Sequence, residues 1–279
     1  MIYSHNSCTF AMMNCPYIYY SIEYFLNSMK HFGISRIELF GAMPHFYIMD
    51  VDDTLILRVK NACAERGIRI VSFTPAQGAY PVSISSDEEP VRRRSVIMAK
   101  RSLETAAKLD VPTMLISPGY GYQNTAFDMR WGICRESLLE LAEYAEQVGV
   151  MLMIEPLTPG TSNIINTSKQ SAKMVREVNS PYLKSIMDIG VMNYMNESVD
   201  SYFDNLGSNL VYIHFTDGPG MHVAIGDGMF PMDYYLERII ACGYQGTLSF
   251  EINDKRYLQD PNAATQRNVD WVKERRLLL

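Results

Sequence analysis

The sequence predicts an α/β protein folded as a single (β/α)8 barrel. Three observations carry that expectation. Eight short apolar runs, rich in Ile, Val, Leu and Met, alternate with longer amphipathic stretches along the 279 residues. Glycines stand where an amphipathic stretch stops and the next apolar run begins. No Ser/Gly-rich linker or composition break divides the chain, so one domain, residues 1–279, accommodates all eight units.

The apolar runs place strands at residues 2–8, 36–40, 69–73, 113–117, 150–155, 183–188, 210–215 and 246–251. Continuous apolar runs of this length suit parallel strands buried on both faces. Gly33 precedes the second run. A helix over 53–66 presents Leu55, Leu57, Val59, Ala62 and Cys63 on its apolar positions and stops at Gly67. Helices over 95–109 and 135–148 follow, the latter ended by Gly149, and one over 233–242 is ended by Gly243. A glycine just past a helix supplies the left-handed residue that ends it. A doubly wound open sheet is the alternative. It lacks a Gly-x-Gly-x-x-Gly turn after the first run, where Cys8-Thr9-Phe10-Ala11-Met12 stands, and no helical pattern starts directly behind Pro118-Gly119-Tyr120-Gly121.

Composition excludes several function classes. The 25 Lys and Arg against 31 Asp and Glu give a net charge of −6, contrary to the basic surface that nucleic-acid binding needs. The densest basic run, Arg92-Arg93-Arg94, follows Asp87-Glu88-Glu89 and reads as a solvated helix start. No apolar stretch approaches the roughly 18 residues of a membrane span. Residues 1–20 carry no Lys or Arg and so lack the charged front of a signal peptide. The five cysteines are scattered without a Cys-x-x-Cys pair, as expected of a reduced cytoplasmic chain.

Barrel active sites form at the C-terminal strand ends. There the fifth to eighth runs offer Glu155, Asp188, His214 and Glu251, each about one β/α unit from the next. Singly, a strand-end carboxylate is more often a helix cap, and a strand histidine more often a satisfied core residue. In register with the barrel period they form a set. Three converging carboxylates repel, and a divalent cation removes that repulsion. An oxygen-rich set with one imidazole suits Mn2+, Co2+ or Mg2+, with Zn2+ also compatible. Glu155 and Glu251, from opposite sides of the pocket, suit two bases acting on opposite faces of a substrate. Weaker candidates are His45 after the second run, Tyr80, Tyr120 and Tyr122 on the loops after the third and fourth, and His222 in a Gly/Pro-rich loop after the seventh. Glu38, within the second run, needs a partner if it points inward. His5 reads as structural.

These segments resemble the xylose isomerase-like barrels of the sugar phosphate isomerase/epimerase group. The resemblance lies in Ile37-Glu38-Leu39-Phe40-Gly41, Ile154-Glu155-Pro156-Leu157-Thr158-Pro159, Met187-Asp188-Ile189, His214-Phe215-Thr216-Asp217 with Gly226-Asp227-Gly228, and Phe250-Glu251. Within that group the chain is similar to the fructoselysine 3-epimerases, through Pro44-His45, Thr74-Pro75 with Tyr80-Pro81, Ser162-Asn163 and the Asp217/His222/Gly226 spacing. The resemblance implies one divalent metal held by Glu155, Asp188, His214 and Glu251. It also implies epimerisation of a ketose, or of a ketose–amino acid conjugate, at carbon 3 through a cis-enediolate, with Glu155 and Glu251 as acid and base. His45, Tyr80, Asp217 and His222 are then expected at the substrate. A small sugar is the expected partner, and a homodimer or homotetramer the expected assembly.

Three departures stand out. Epimerases of free ketohexoses usually carry a His three residues after the metal Asp, a Glu six after the metal Glu and an Arg six after the metal His. Here those positions are Val191, Thr161 and Gly220. They argue against a simple tagatose- or psicose-type substrate. The alternatives on the same barrel are an inosose- or dehydroshikimate-type dehydratase, an apurinic endonuclease and a non-catalytic sugar-binding barrel.

Overall fold

The computed structural model describes residues 8–78, 82–275 and 277. Eight parallel strands pair in sequence order and close into a barrel, the last pairing with the first. They are β1 (Thr9–Met13), β2 (Arg36–Gly41), β3 (Arg69–Pro75), β4 (Thr113–Ile116), β5 (Met151–Ile154), β6 (Leu183–Asp188), β7 (Leu210–His214) and β8 (Thr247–Phe250). Around them pack α1 (Ile22–Phe32), α2 (Asp53–Ala64), α3 (Glu89–Lys108), α4 (Phe127–Val148), α5 (Ser168–Val178), α6 (Ile189–Tyr194), α7 (Val199–Leu206), α8 (Met232–Ala241) and α9 (Pro261–Glu274). The expected glycine stops are borne out at α1 and α4. Gly33 and Gly149 cap them at φ 79° and 72°, a conformation that costs other residues a steric penalty.

Seven of the eight strands fall where the apolar runs place them. The first does not. Of the expected residues 2–8 all but Cys8 lie outside the described residues, as does His5. The strand is Thr9–Met13, overlapping Cys8–Met12, the residues read as the turn behind it. Thr9 to Met12 pair with Thr247 to Phe250, and Met12 and Met13 pair with Ile37 and Glu38. The apolar run Phe10-Ala11-Met12-Met13 is fully buried, which is why it takes the central place. The basic run sits in the first turns of α3, with Arg92 paired to Glu89 and Arg93 to Glu140 on the surface. The five cysteines are free thiols.

The apolar core has two parts. A large shell lies between strands and helices. A small plug of Leu115, Met153, Ile186 and Tyr212 is separate from it. On three strands the plug residue stands two positions before a candidate ligand: Met153 before Glu155, Ile186 before Asp188, and Tyr212 before His214. Strand side chains alternate, so each pair shares a face, and the plug is a floor with the polar residues one layer above it.

Candidate metal centre and active site

Asp188 and His214 are register partners at the ends of β6 and β7, while Glu155 and Glu251 immediately follow β5 and β8. Ligand atoms from all four lie within 4.8 Å of one another. His214 Nδ1 is the hub, 3.0 Å from Glu251 Oε2, 3.1 Å from Glu155 Oε1 and 3.7 Å from Asp188 Oδ2. The side chains of Asp188 and His214 are 1% exposed, against 11% for Glu155 and 20% for Glu251. The two glutamates are thus the members of the set that open towards the barrel mouth.

The donor set fits a divalent cation. Asp188 Oδ1 accepts from the Val191 N–H at 2.7 Å and caps α6. Its Oδ2 is buried with no hydrogen-bond partner among the described residues, and it faces two more carboxylates and an imidazole nitrogen. Such an oxygen carries a desolvation cost that a hard cation removes.

The electrostatics divide the glutamates. Burial pushes the Glu155 carboxyl up to about 7, against the pull of His214. Burial would raise Glu251 too, but His214 and His222 outweigh it and hold that carboxyl far below the usual range. For His214, burial opposes the charge, yet Glu38, Glu251 and Glu155 keep the imidazole well above its ordinary value. Two carboxyls driven apart in this way can hold opposite protonation states, as acid–base work on one substrate requires.

A second layer orients the hub. Glu38, completely buried on β2, receives His214 Nε2 on Oε1 at 3.2 Å and the Tyr212 hydroxyl on Oε2 at 3.1 Å. The Thr74 hydroxyl also donates to it. A carboxylate at Nε2 favours the ring proton there, which would leave the Nδ1 lone pair to face a cation shared with the three carboxylates. Here is the partner that Glu38 needs, and it makes Glu38 a positioning residue. The sequence signal was a charged residue inside an otherwise apolar strand.

His222 reaches the same centre from the β7 loop. Its Nε2 lies 3.5 Å from Asp188 Oδ1 and its Nδ1 3.3 Å from Glu251 Oε2. Its backbone is tied to the β8 loop: the N–H donates to Asn253 Oδ1, and the carbonyl accepts from the Asn253 and Asp254 N–H groups. A Cβ on Gly190 would sit 2.9 Å from His222 Nε2 and 3.1 Å from Asp188 Oδ1. The glycine makes the room, so an imidazole stands beside the β6 loop although residue 191 is Val. Gly190→Ala is expected to displace His222 and lower kcat/KM by about tenfold or more, with the fold intact; steady-state kinetics with circular dichroism checks this.

Asp217, expected at the substrate, organises the β7 loop. It is buried, and its two oxygens accept from the N–H groups of Gly218, Phe230, Gly226 and Gly228 at 2.8–3.1 Å, which uses its acceptor capacity. His45, also expected at the substrate, is engaged by the fold in the same way. It is buried, with Nδ1 2.9 Å from the Asn14 amide and Nε2 2.7 Å from the Tyr20 carbonyl, so both ring nitrogens serve the fold. Tyr80 lies outside the described residues. Tyr120 and Tyr122 are exposed on the loop after β4.

Comparison with known proteins agrees with this architecture. The family model described as xylose isomerase-like TIM barrel matches residues 26–275. Fructoselysine 3-epimerase of Escherichia coli O157:H7 is 31% identical over 263 residues, covering 93% of this chain and 95% of that protein. D-psicose 3-epimerase of Ruminiclostridium cellulolyticum is 24% identical over 236 residues, 82% of this chain and 77% of that one. Among solved structures, the 3-keto-D-glucoside 4-epimerase of E. coli superposes with a TM-score of 0.81 at 19% identity, covering 96% of this chain and all of the other. D-psicose 3-epimerase of Clostridium cellulolyticum with D-tagatose gives 0.79 at 18%, covering 96% and 98%. A closed eight-stranded barrel with four candidate ligand residues at its strand ends, matched by a family model over most of its length, belongs to the xylose isomerase-like TIM-barrel family, among its sugar epimerases.

Proposed function

We propose that this chain is a divalent-metal-dependent 3-epimerase of a ketose, free or joined to an amino acid as in fructoselysine. The observation that carries the reading is the disposition of Glu155 and Glu251. They come from opposite sides of the barrel, meet at His214 Nδ1, and are the two members of the cluster that open to the mouth. A ketose seated between them presents one face of carbon 3 to each. One glutamate takes the proton, and the other returns a proton to the opposite face, inverting the centre. Glu155, Asp188, His214 through Nδ1, and Glu251 would hold Mn2+, Co2+, Mg2+ or Zn2+. When bound, the cation supplies Lewis-acid stabilisation for the negative charge developing on the substrate oxygens. His222, poised over Asp188 and Glu251, is the residue we assign to a substrate hydroxyl.

Incubation with fructose, psicose, tagatose or fructoselysine in D2O with Mn2+ tests the reading. Exchange at carbon 3 of any of them supports it, and exchange with none sinks it. A product with the ultraviolet absorbance of a dehydrated sugar would assign the dehydratase reaction instead.

The metal reading has a thermodynamic consequence. A cation that binds only the folded state at a hundred times its Kd adds about 2.7 kcal/mol. Calorimetry of chelated protein on adding Mn2+ is therefore expected to show a Tm rise of about 5 °C. We further read the protein as cytoplasmic and homo-oligomeric, a dimer or tetramer, which light scattering of the purified chain tests.

A further inference from the structure

The loop after β7 is bonded along almost its whole length. From Asp217 to Phe230 each N–H group donates within the protein, apart from those of Gly220 and Met221 at the exposed tip, and Pro219 has none to give. Such saturation is the opposite of the sparse bonding that marks a mobile lid. The loop is a fixed arm, and it carries His222 into the centre beside Asp188 and Glu251.

Part of this bonding is internal, through Asp217 and its backbone bridge to Val223. The rest comes from the C-terminal part of the chain. Asn253 holds His222 itself. Two further anchors hold the residues directly behind it. The Tyr257 hydroxyl, in the 3-10 turn Lys255–Tyr257, accepts from the Ala224 N–H at 3.1 Å and donates to Asp227 Oδ2 at 2.6 Å. Arg267, on α9, pairs with Asp227 and so fixes the carboxylate that orients this hydroxyl. Asn268, also on α9, accepts from the Ile225 N–H on Oδ1 at 2.8 Å.

Asn268 is the informative member. It is 1% exposed, on the buried face of α9 that also carries Ala264, Val269 and Val272. Its amide nitrogen is buried without a hydrogen-bond partner among the described residues. A buried amide that leaves its donor unused is a poor choice for packing alone. What accounts for it is the bond to Ile225, three residues from His222. Tyr257, equally buried, spends its hydroxyl on the same loop.

We infer that Tyr257 and Asn268 are positioning residues, which hold the β7 loop so that the His222 imidazole meets a substrate hydroxyl. The inference rests on the epimerase reading for that hydroxyl. Each residue acts through the loop backbone, at Ala224 and Ile225, two and three residues beyond His222. A contacting group must be held to within about 0.5 Å to work well, and the support for it comes from residues behind it. The clearance that Gly190 leaves for the ring is equally narrow, so a small shift of the loop moves the imidazole off its place.

The test is a double-mutant cycle on the full-length Mn2+-loaded enzyme, read by carbon-3 exchange in D2O with a ketose that it uses. Tyr257→Phe and Asn268→Leu are each expected to lower kcat/KM about fivefold or more in the wild-type background. In a His222→Ala background each is expected to cost less than about twofold, because the group they position is gone. A merely structural role would cost the same in both backgrounds. Tyr257→Phe removes a single oxygen and keeps the test open should Asn268→Leu fold poorly. A second readout is independent of turnover. With Mg2+ in place of Mn2+, the Cε1–H signals of the five histidines are followed by NMR, and His222→Ala assigns that of His222. This signal is expected to move or split in both variants while those of His31 and His45 hold. Equal losses in the two backgrounds, no loss in either variant, or an unmoved His222 signal overturns the inference. Absence of exchange with any ketose would be a failure of the epimerase reading instead. In that case, or where His222→Ala is too slow to compare, the imidazole signal alone decides the positioning.

Discussion

Glu251→Gln abolishes epimerisation at carbon 3, lowering kcat by about a thousandfold or more, while the variant folds with an unchanged circular dichroism spectrum. The amide keeps the shape of the side chain and one oxygen for a cation, but it cannot take up or release a proton at neutral pH. General acid–base catalysis alone contributes roughly 10²–10⁴-fold, and the same residue is also a ligand. Glu155→Gln is expected to fail to a comparable extent, since inversion needs a proton taken on one face and given on the other. The diagnostic difference lies in the half-reactions. A variant lacking one base still exchanges protium for deuterium in the epimer whose carbon-3 proton faces the remaining glutamate. Deuterium NMR on each epimer separately resolves this. Retention of full epimerisation in either variant would remove that residue from the mechanism.

The second large effect is expected at a residue that touches no substrate. Glu38→Leu leaves His214 Nε2 and the hydroxyls of Tyr212 and Thr74 without their shared acceptor in a fully buried layer. Each orphaned buried group costs about 1–3 kcal/mol, and a lost carboxylate–histidine contact typically costs 10–100-fold in metal affinity. Calorimetric titration with Mn2+ is expected to show that loss of affinity, and thermal unfolding a lower Tm. Glu38→Gln, whose carbonyl oxygen can still accept from Nε2–H, is expected to recover much of the affinity. Equal affinity in wild type and Glu38→Leu would show that the ring is held by its packing alone.

The barrel was legible because its strands are apolar on both faces, and that pattern survives in sequence without knowledge of neighbours. The cluster of Glu155, Asp188, His214 and Glu251 was legible for a related reason: each polar residue closes an apolar run, and the runs recur at the barrel period. The misplaced first strand shows the limit, since two adjacent segments could serve and only pairing with β8 and β2 selects Thr9–Met13. What the sequence conceals is hydrogen-bond occupancy. Asp217 and His45 have the residue types of a sugar site, and nothing local in the sequence shows that four N–H groups engage the first and the Asn14 amide and Tyr20 carbonyl the second. The reverse holds for Glu38, whose partners lie on β3 and β7. The placement of His222 is equally non-local: a loop histidine becomes part of the centre because Asn253 holds its backbone and Gly190 clears its ring.

One measurement bears on the metal centre directly. Crystals grown with Mn2+ and measured at the manganese absorption edge are expected to show a single strong anomalous peak at the barrel mouth, bonded by Glu155, Asp188, Glu251 and His214 through Nδ1. A peak elsewhere, a site ligated by His214 Nε2, or no peak at a saturating concentration would contradict it.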